Sequence, residues 1–143
     1  MTLWDTVKEF MADNADLIPA DNMMDFISND GGRTYNLCHF WSNFEIADLD
    51  FWRSDAYTRF FSHLDRKGGF YYERWGDAPV HSIAAALFLR KEQTHFFGDI
   101  GYRHAPLQLC PQGDAWARGR CSCDPKDSFD VAENSCLPKW LAL

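Results

Sequence analysis

The stretch Gly68–Leu89, GGFYYERWGDAPVHSIAAALFL, decides how this chain is read. It opens with a Gly-Gly turn, and glycine reaches backbone angles closed to other residues. An aromatic run follows, Phe70-Tyr71-Tyr72, which reads as a strand end. A charged elbow, Glu73-Arg74-Trp75-Gly76-Asp77, then leads into an apolar helix starting near Ala78. Asp77 suits an N-cap, and Pro79 is tolerated in a first helical turn, where its missing N–H costs nothing. Val80, Ile83, Ala84 and Leu87 recur at helical spacing. A strand end handing over to a helix start is where α/β proteins place ligand groups, so the polar residues of the elbow are site candidates.

Upstream, Ser54 begins a second helix with Tyr57, Phe60, Phe61 and Leu64 as its apolar stripe, and Gly68-Gly69 stops it. Tyr35–Ile46, YNLCHFWSNFEI, reads as one or two strands whose alternation sets Glu45 on the face opposite Phe44 and Ile46. Ser28–Gly32 is a turn by composition, preceded by the apolar patch Met23, Met24, Phe26 and Ile27. The N-terminus to about Asn14 reads as an amphipathic helix with Leu3, Val7, Phe10 and Met11 on one face. Thr2-x-x-Asp5 there resembles a capping box. Downstream, Thr94–Ile100, THFFGDI, reads as a further strand, and everything after Cys110 as a loop-rich tail.

The 143 residues suit one domain, or part of one, with a real core. Aromatic residues make up 16%, with 12 Phe and 6 Trp, a composition found in cores and in sugar or nucleotide pockets. A net charge of −7 argues against a nucleic-acid surface, since no Lys/Arg cluster could neutralise phosphates. No apolar run is long enough for a membrane span, and MTLWDTVKEF lacks the basic start and apolar core of a signal peptide.

Cysteines pull the other way. Cys110, Cys121, Cys123 and Cys136 crowd a Gly/Pro/Asp-rich tail with little apolar surface to bury, which suits covalent staples. A Cys121–Cys123 bridge is geometrically disfavoured, leaving two ways of pairing the four. A zinc site usually shows paired C-x2-C knuckles, whereas this tail has one C-x-C and two singletons. Disulfides imply an oxidising compartment and a targeting segment outside this sequence. Cys38 is left as the odd thiol.

Three constellations carry chemistry. Glu45 sits among Trp41, Phe44 and Phe51, and aromatic walls raise a carboxylate's pKa or shape a sugar pocket around it. The plainer alternative is a strand-end Glu paired to Arg53 or Arg74. Asp77 with Glu73 and Arg74 is either a site or an N-cap beside a surface ion pair. Among His39, His63, His81, His95 and His104 no pair has the i, i+4 spacing of a helical zinc motif. His104 follows a strand end through Gly101, a loop position suited to ligand contact.

Tyr35–Ala47, Gly68–Leu89, Phe51–Tyr57 and DIGYRHAP (Asp99–Pro106), together with the Cys-rich tail, resemble the signature blocks of the fungal Golgi α-1,2-mannosyltransferases, glycosyltransferase family 15. The resemblance implies an α/β, GT-A-like lumenal domain of a type II Golgi membrane protein. It implies transfer of mannose from GDP-mannose to a mannose hydroxyl on N- or O-linked glycans, with retention and with Mn²⁺. It makes Glu45 the carboxylate beneath the anomeric carbon, His104 a metal ligand and Asp77 an acidic residue touching sugar hydroxyls. Trp41, Tyr72, Glu73, Arg74 and Trp75 follow as neighbouring substrate-binding candidates. The family's Glu-Pro-Asp motif is not found here. The chain therefore reads as the C-terminal part of one catalytic domain, residues 1–109 its α/β portion and 110–143 its Cys-rich tail, with the membrane anchor and much of the nucleotide half elsewhere. Such a piece is expected to bind GDP-mannose poorly alone. The alternative function is a non-catalytic mannoside-binding module or degenerate paralogue.

Overall fold

The structure, a computed structural model, describes residues 2–143; Met1 and the Thr2 side chain, and with it the expected capping box, lie outside the described residues. Two compact units divide the chain at Gln93/Thr94.

The first unit is helical. It holds α1 (Thr2–Asp13), α2 (Met24–Ile27), α3 (Leu49–Trp52), α4 (Asp55–Arg66), α5 (Gly69–Tyr72) and α6 (Asp77–Phe88). Its centre is α6, on which Val80, Ser82, Ile83, Ala84, Ala86 and Leu87 are all buried. A helix apolar on nearly every side belongs inside a core, and this one has neighbours on several. The Met23 amide donates to the Ala86 carbonyl at 2.8 Å, joining the start of α2 to α6. Helix α4 packs on both α1 and α6. Ser54 caps it as expected, its hydroxyl accepting from the Tyr57 amide at 3.2 Å. Phe60 and Leu64 of α4 are fully buried, whereas Phe61 is 44% exposed. The Phe60 ring meets Phe10 of α1 at 5.3 Å and Phe88 of α6 at 5.8 Å, so three helices share one aromatic cluster.

The second unit, Thr94–Ala142, carries a two-residue hairpin: β1 (Tyr102–His104) pairs antiparallel with β2 (Leu107–Leu109), Arg103 opposite Gln108. Two short helices follow, α7 (Gly113–Arg118) and α8 (Leu137–Ala142), so the tail holds more regular structure than its composition promised. Ser128 organises it by accepting from the Cys110 amide at 3.0 Å.

Three expected strands are not strands. Tyr35–Ile46 is irregular because its amides are satisfied by side chains: Cys38 donates to Asn36 Oδ1 and Phe40 to Ser82 Oγ, while Leu37 takes a positive φ of 69°. Phe44 and Ile46 are 63% and 73% exposed, so no alternation separates them from Glu45. Phe70–Tyr72 lies in α5 instead. Gly68 turns left-handed at φ 73°, and the chain curls so that the Trp75 ring lies on Gly69, where a Cβ would come within 2.2 Å of it. Thr94–Ile100 is broken by a turn in which Gly98 donates to Phe96 and Ile100 to Phe97; pairing begins two residues later, at Tyr102.

The cysteines also differ from expectation. Cys110 bonds Cys123 across a Cα–Cα distance of 6.0 Å, one of the bridges compatible with the sequence. Cys38 is disulfide-bonded, not a lone thiol, and Cys136 is disulfide-bonded too. Cys121 is the free cysteine. Trp116 Nε1 holds the Cys123 carbonyl at 2.8 Å, while Cys121 Sγ faces the backbone at Gly101 and Gly119. Under denaturing, non-reducing conditions a thiol titration should therefore find one reactive cysteine per chain, rising to five after reduction. Three or more before reduction would contradict this disulfide arrangement.

Candidate active site

Helix α6 begins with Gly76 in the N-cap position and Asp77 as its first residue, so both cap and helix start lie one residue earlier than expected. The Asp77 carboxylate accepts from the Ser42 hydroxyl at 2.8 Å. That bond holds Asp77 below the ordinary 3.8, with burial opposing it and the helix-start N–H groups of Asp77 and Ala78 and the His81 charge adding to it. A carboxyl depressed in the folded chain stabilises it above the ordinary value, and this contribution is lost as pH falls through the native one. Ser42→Ala should move the Asp77 titration upward in a carboxyl NMR experiment; an unmoved Asp77 would show that the hydroxyl does not set it.

One turn further along α6, His81 reaches the same segment. Its Nδ1 lies 3.1 and 3.2 Å from the two Glu45 carboxylate oxygens. Glu45 thus pairs with His81 and not with Arg53 or Arg74. The imidazole packs against the Trp52 ring of α3 at 4.6 Å, and Trp52 meets Tyr57 of α4 edge-on at 4.6 Å. Burial, and then the Glu45 charge, push the Tyr57 hydroxyl up. The result is a carboxylate with 39% of its side chain exposed, an aromatic wall behind it and a second carboxylate four residues from its histidine. Two acids at a water-accessible helix start can hold sugar hydroxyls and face a developing positive charge.

The other candidates are distributed. Trp41 is half-buried beside Ser42; Tyr72, the last residue of α5, and Glu73 and Arg74 on the link to α6 are exposed. Glu73 accepts from Trp75 Nε1 at 3.3 Å, and Arg74 takes φ 58°. Trp75, covering Gly69 and meeting Phe70 at 5.8 Å, has a packing role. His104 ends β1 in the second unit, exposed. Among the described residues no three His, Cys, Asp or Glu side chains stand close enough to hold a metal ion. His81 and Ser42 are the residues sequence reasoning passed over. The sequence carries part of the signal, since Asp77 and His81 are an i, i+4 pair on one helix face, but nothing in it points His81 to Glu45.

A family model described as glycolipid 2-alpha-mannosyltransferase matches residues 1–143, the whole chain. The chain belongs to that family. Among curated relatives of this mannosyltransferase-family chain, glycolipid 2-alpha-mannosyltransferase 1 of Candida albicans is 56% identical over 143 residues, covering 99% of this chain and 33% of the relative. Alpha-1,2 mannosyltransferase KTR1 of Saccharomyces cerevisiae is 56% identical over 140 residues, 97% of this chain and 36% of the relative. The family chain thus spans about a third of the length of the relatives it matches. Core-mannan synthase A from Aspergillus fumigatus, solved in an Mn/GDP form, superposes with a TM-score of 0.84 at 42% identity, covering 99% of this chain and 40% of that one. The S. cerevisiae mannosyltransferase Ktr4p, solved with GDP, gives 0.85 at 39% identity, with 98% and 39% covered. The GT-A-like fold expected from the resemblance is the fold of these structures, and the helices and hairpin described above are its counterpart here.

Proposed function

We propose that this chain provides the sugar-handling part of a retaining α-1,2-mannosyltransferase that takes mannose from GDP-mannose to a mannose hydroxyl of a glycan. The observation that carries this reading is that two carboxylates are tied to the first turns of α6, Asp77 through Ser42 and Glu45 through His81, in a member of a mannosyltransferase family. Glycosyl transfer passes through an oxocarbenium-like state, which an anion beneath the anomeric carbon stabilises or attacks. Glu45 takes that place, and Asp77 with Ser42 holds hydroxyls of the sugar. Exposed Tyr72, with Glu73 and Arg74, and the half-buried Trp41 border the acceptor approach.

Mn²⁺ accompanies GDP in the Aspergillus relative, and His104 is the ligand this chain would contribute. An imidazole suits Mn²⁺ once oxygen donors complete its shell. The described residues do not assemble such a shell by themselves, so no step here is routed through the ion. No helix among the described residues is long and apolar enough to cross a membrane. Four cysteines held as disulfides suit the oxidising lumen of the secretory pathway, and we place the enzyme in the Golgi, anchored by a segment other than these helices.

The test is a chimera in which this chain replaces the matched 140 residues of KTR1. Given Mn²⁺, GDP-mannose and α-methyl mannoside, it should form a disaccharide cleaved by an α-1,2-mannosidase. A folded chimera that binds mannosides yet transfers nothing would overturn this reading in favour of a non-catalytic module.

A further inference from the structure

We infer that His81 is a positioning residue for Glu45, fixing its carboxylate for transfer; the inference rests on the role just proposed for Glu45. The segment bearing Glu45 has no regular secondary structure, and its neighbours Phe44 and Ile46 are largely exposed. A glutamate on such a segment would sample several rotamers, whereas a carboxylate serving one carbon must stay in one place. Helix α6 supplies the restraint at three points. Phe40 N donates to Ser82 Oγ at 2.7 Å, Ser42 Oγ donates to Asp77 at 2.8 Å, and His81 Nδ1 meets both Glu45 oxygens at 3.1 and 3.2 Å. Residues 40, 42 and 45 are thus fastened to residues 82, 77 and 81 of one rigid, core-buried helix.

The histidine is itself held. Its ring lies 4.6 Å from the Trp52 ring, and its helical neighbours Val80 and Ser82 are buried at 2% and 1% exposure. Near-equal distances to the two oxygens place the Nδ1–H between them. The carboxylate plane is thereby set without protonating either oxygen, and the negative charge stays available to the sugar. Asp77 on the same helix, Glu45 on the segment and Tyr57 from α4 are the titratable groups facing this imidazole or its partner.

In the KTR1 chimera, His81→Leu should lower kcat by about 100-fold, the size expected from displacing a reacting group by roughly 1 Å, with KM for GDP-mannose within about threefold. His81→Asn, whose side-chain N–H stands near the place of Nδ1, should recover most of the loss. His81→Phe, which keeps a ring on Trp52 without the donor, should not. Equal impairment of the Asn and Phe variants, or a Leu variant with unchanged kcat, would overturn the inference. Glu45→Gln in the same background separates the two readings: if it costs about 10²-fold or more while His81→Leu leaves kcat unchanged, only the positioning role falls, and if it leaves transfer intact, the Glu45 role falls first. Should a His81 variant fail to fold, the unaltered 143-residue chain decides by nitrogen-15 NMR. The His81 Nδ1 signal should be that of a protonated, hydrogen-bonded nitrogen and should shift in Glu45→Gln; an unmoved signal would contradict the contact.

Discussion

Glu45→Gln should slow mannosyl transfer by the KTR1 chimera by about 10²-fold or more while leaving its GDP affinity within a few fold. The amide keeps the size of the side chain and can still meet His81, but it carries no charge to set against an oxocarbenium-like sugar. The size of the loss separates two routes to retention. If Glu45 is the nucleophile of a double displacement, its loss removes the covalent path, and a defect of the order of 10⁶ is expected, as for other nucleophiles. If the acceptor attacks from the face the diphosphate leaves, Glu45 acts through its field, and the loss should be about 10²–10³-fold. His81 Nδ1 lies within hydrogen-bond reach of both carboxylate oxygens. That arrangement favours the second value, because a carboxylate already sharing both oxygens is a weaker attacking group. Single-turnover rates with saturating GDP-mannose would read the difference directly.

The largest stability effect should come from Phe60→Ala. Phe60 has no exposed surface and touches Phe10, Phe88 and Tyr57, at 5.3, 5.8 and 6.5 Å between ring centres. Its removal opens a void where α1, α4 and α6 meet. A cost of about 3–5 kcal/mol is expected for a buried phenylalanine, a large part of the roughly 5–15 kcal/mol that holds a domain together. Urea denaturation should show the midpoint fall sharply, with Phe60→Leu giving a much smaller shift. Because α4 also carries Tyr57, which walls the Glu45 side of the site, the Ala variant should lose activity with its fold. A Phe60→Ala protein as stable as the parent would mean that this cluster is not the core.

These expectations divide between what the residue pattern carries and what it does not. Helix α4 was legible end to end, because Ser54 caps it, Phe60 and Leu64 keep helical spacing and Gly68 stops it. Helix α6 was legible for the same local reasons, with its start displaced by one residue. The aromatic segments were not legible. Tyr35–Ile46 and Phe70–Tyr72 have the composition of strands, but their backbone partners include the Asn36 and Ser82 side chains and the Gly68 carbonyl, choices made by tertiary contact and by a glycine turn. Glu45 and Asp77 stand out from the residues alone, each with a plain structural alternative, and their specific roles come from the family resemblance. His81 does not stand out by histidine-to-histidine spacing. Its partner is a carboxylate 36 positions away, and no local spacing reports that distance.

The most direct measurement is a crystal structure of the KTR1 chimera with Mn²⁺ and a non-hydrolysable GDP-mannose analogue. A Glu45 oxygen should lie about 3–3.5 Å from the anomeric carbon, on the face away from the diphosphate, with His81 Nδ1 still bonded to it. A donor mannose bound elsewhere, with the Glu45–His81 pair facing open solvent, would contradict it.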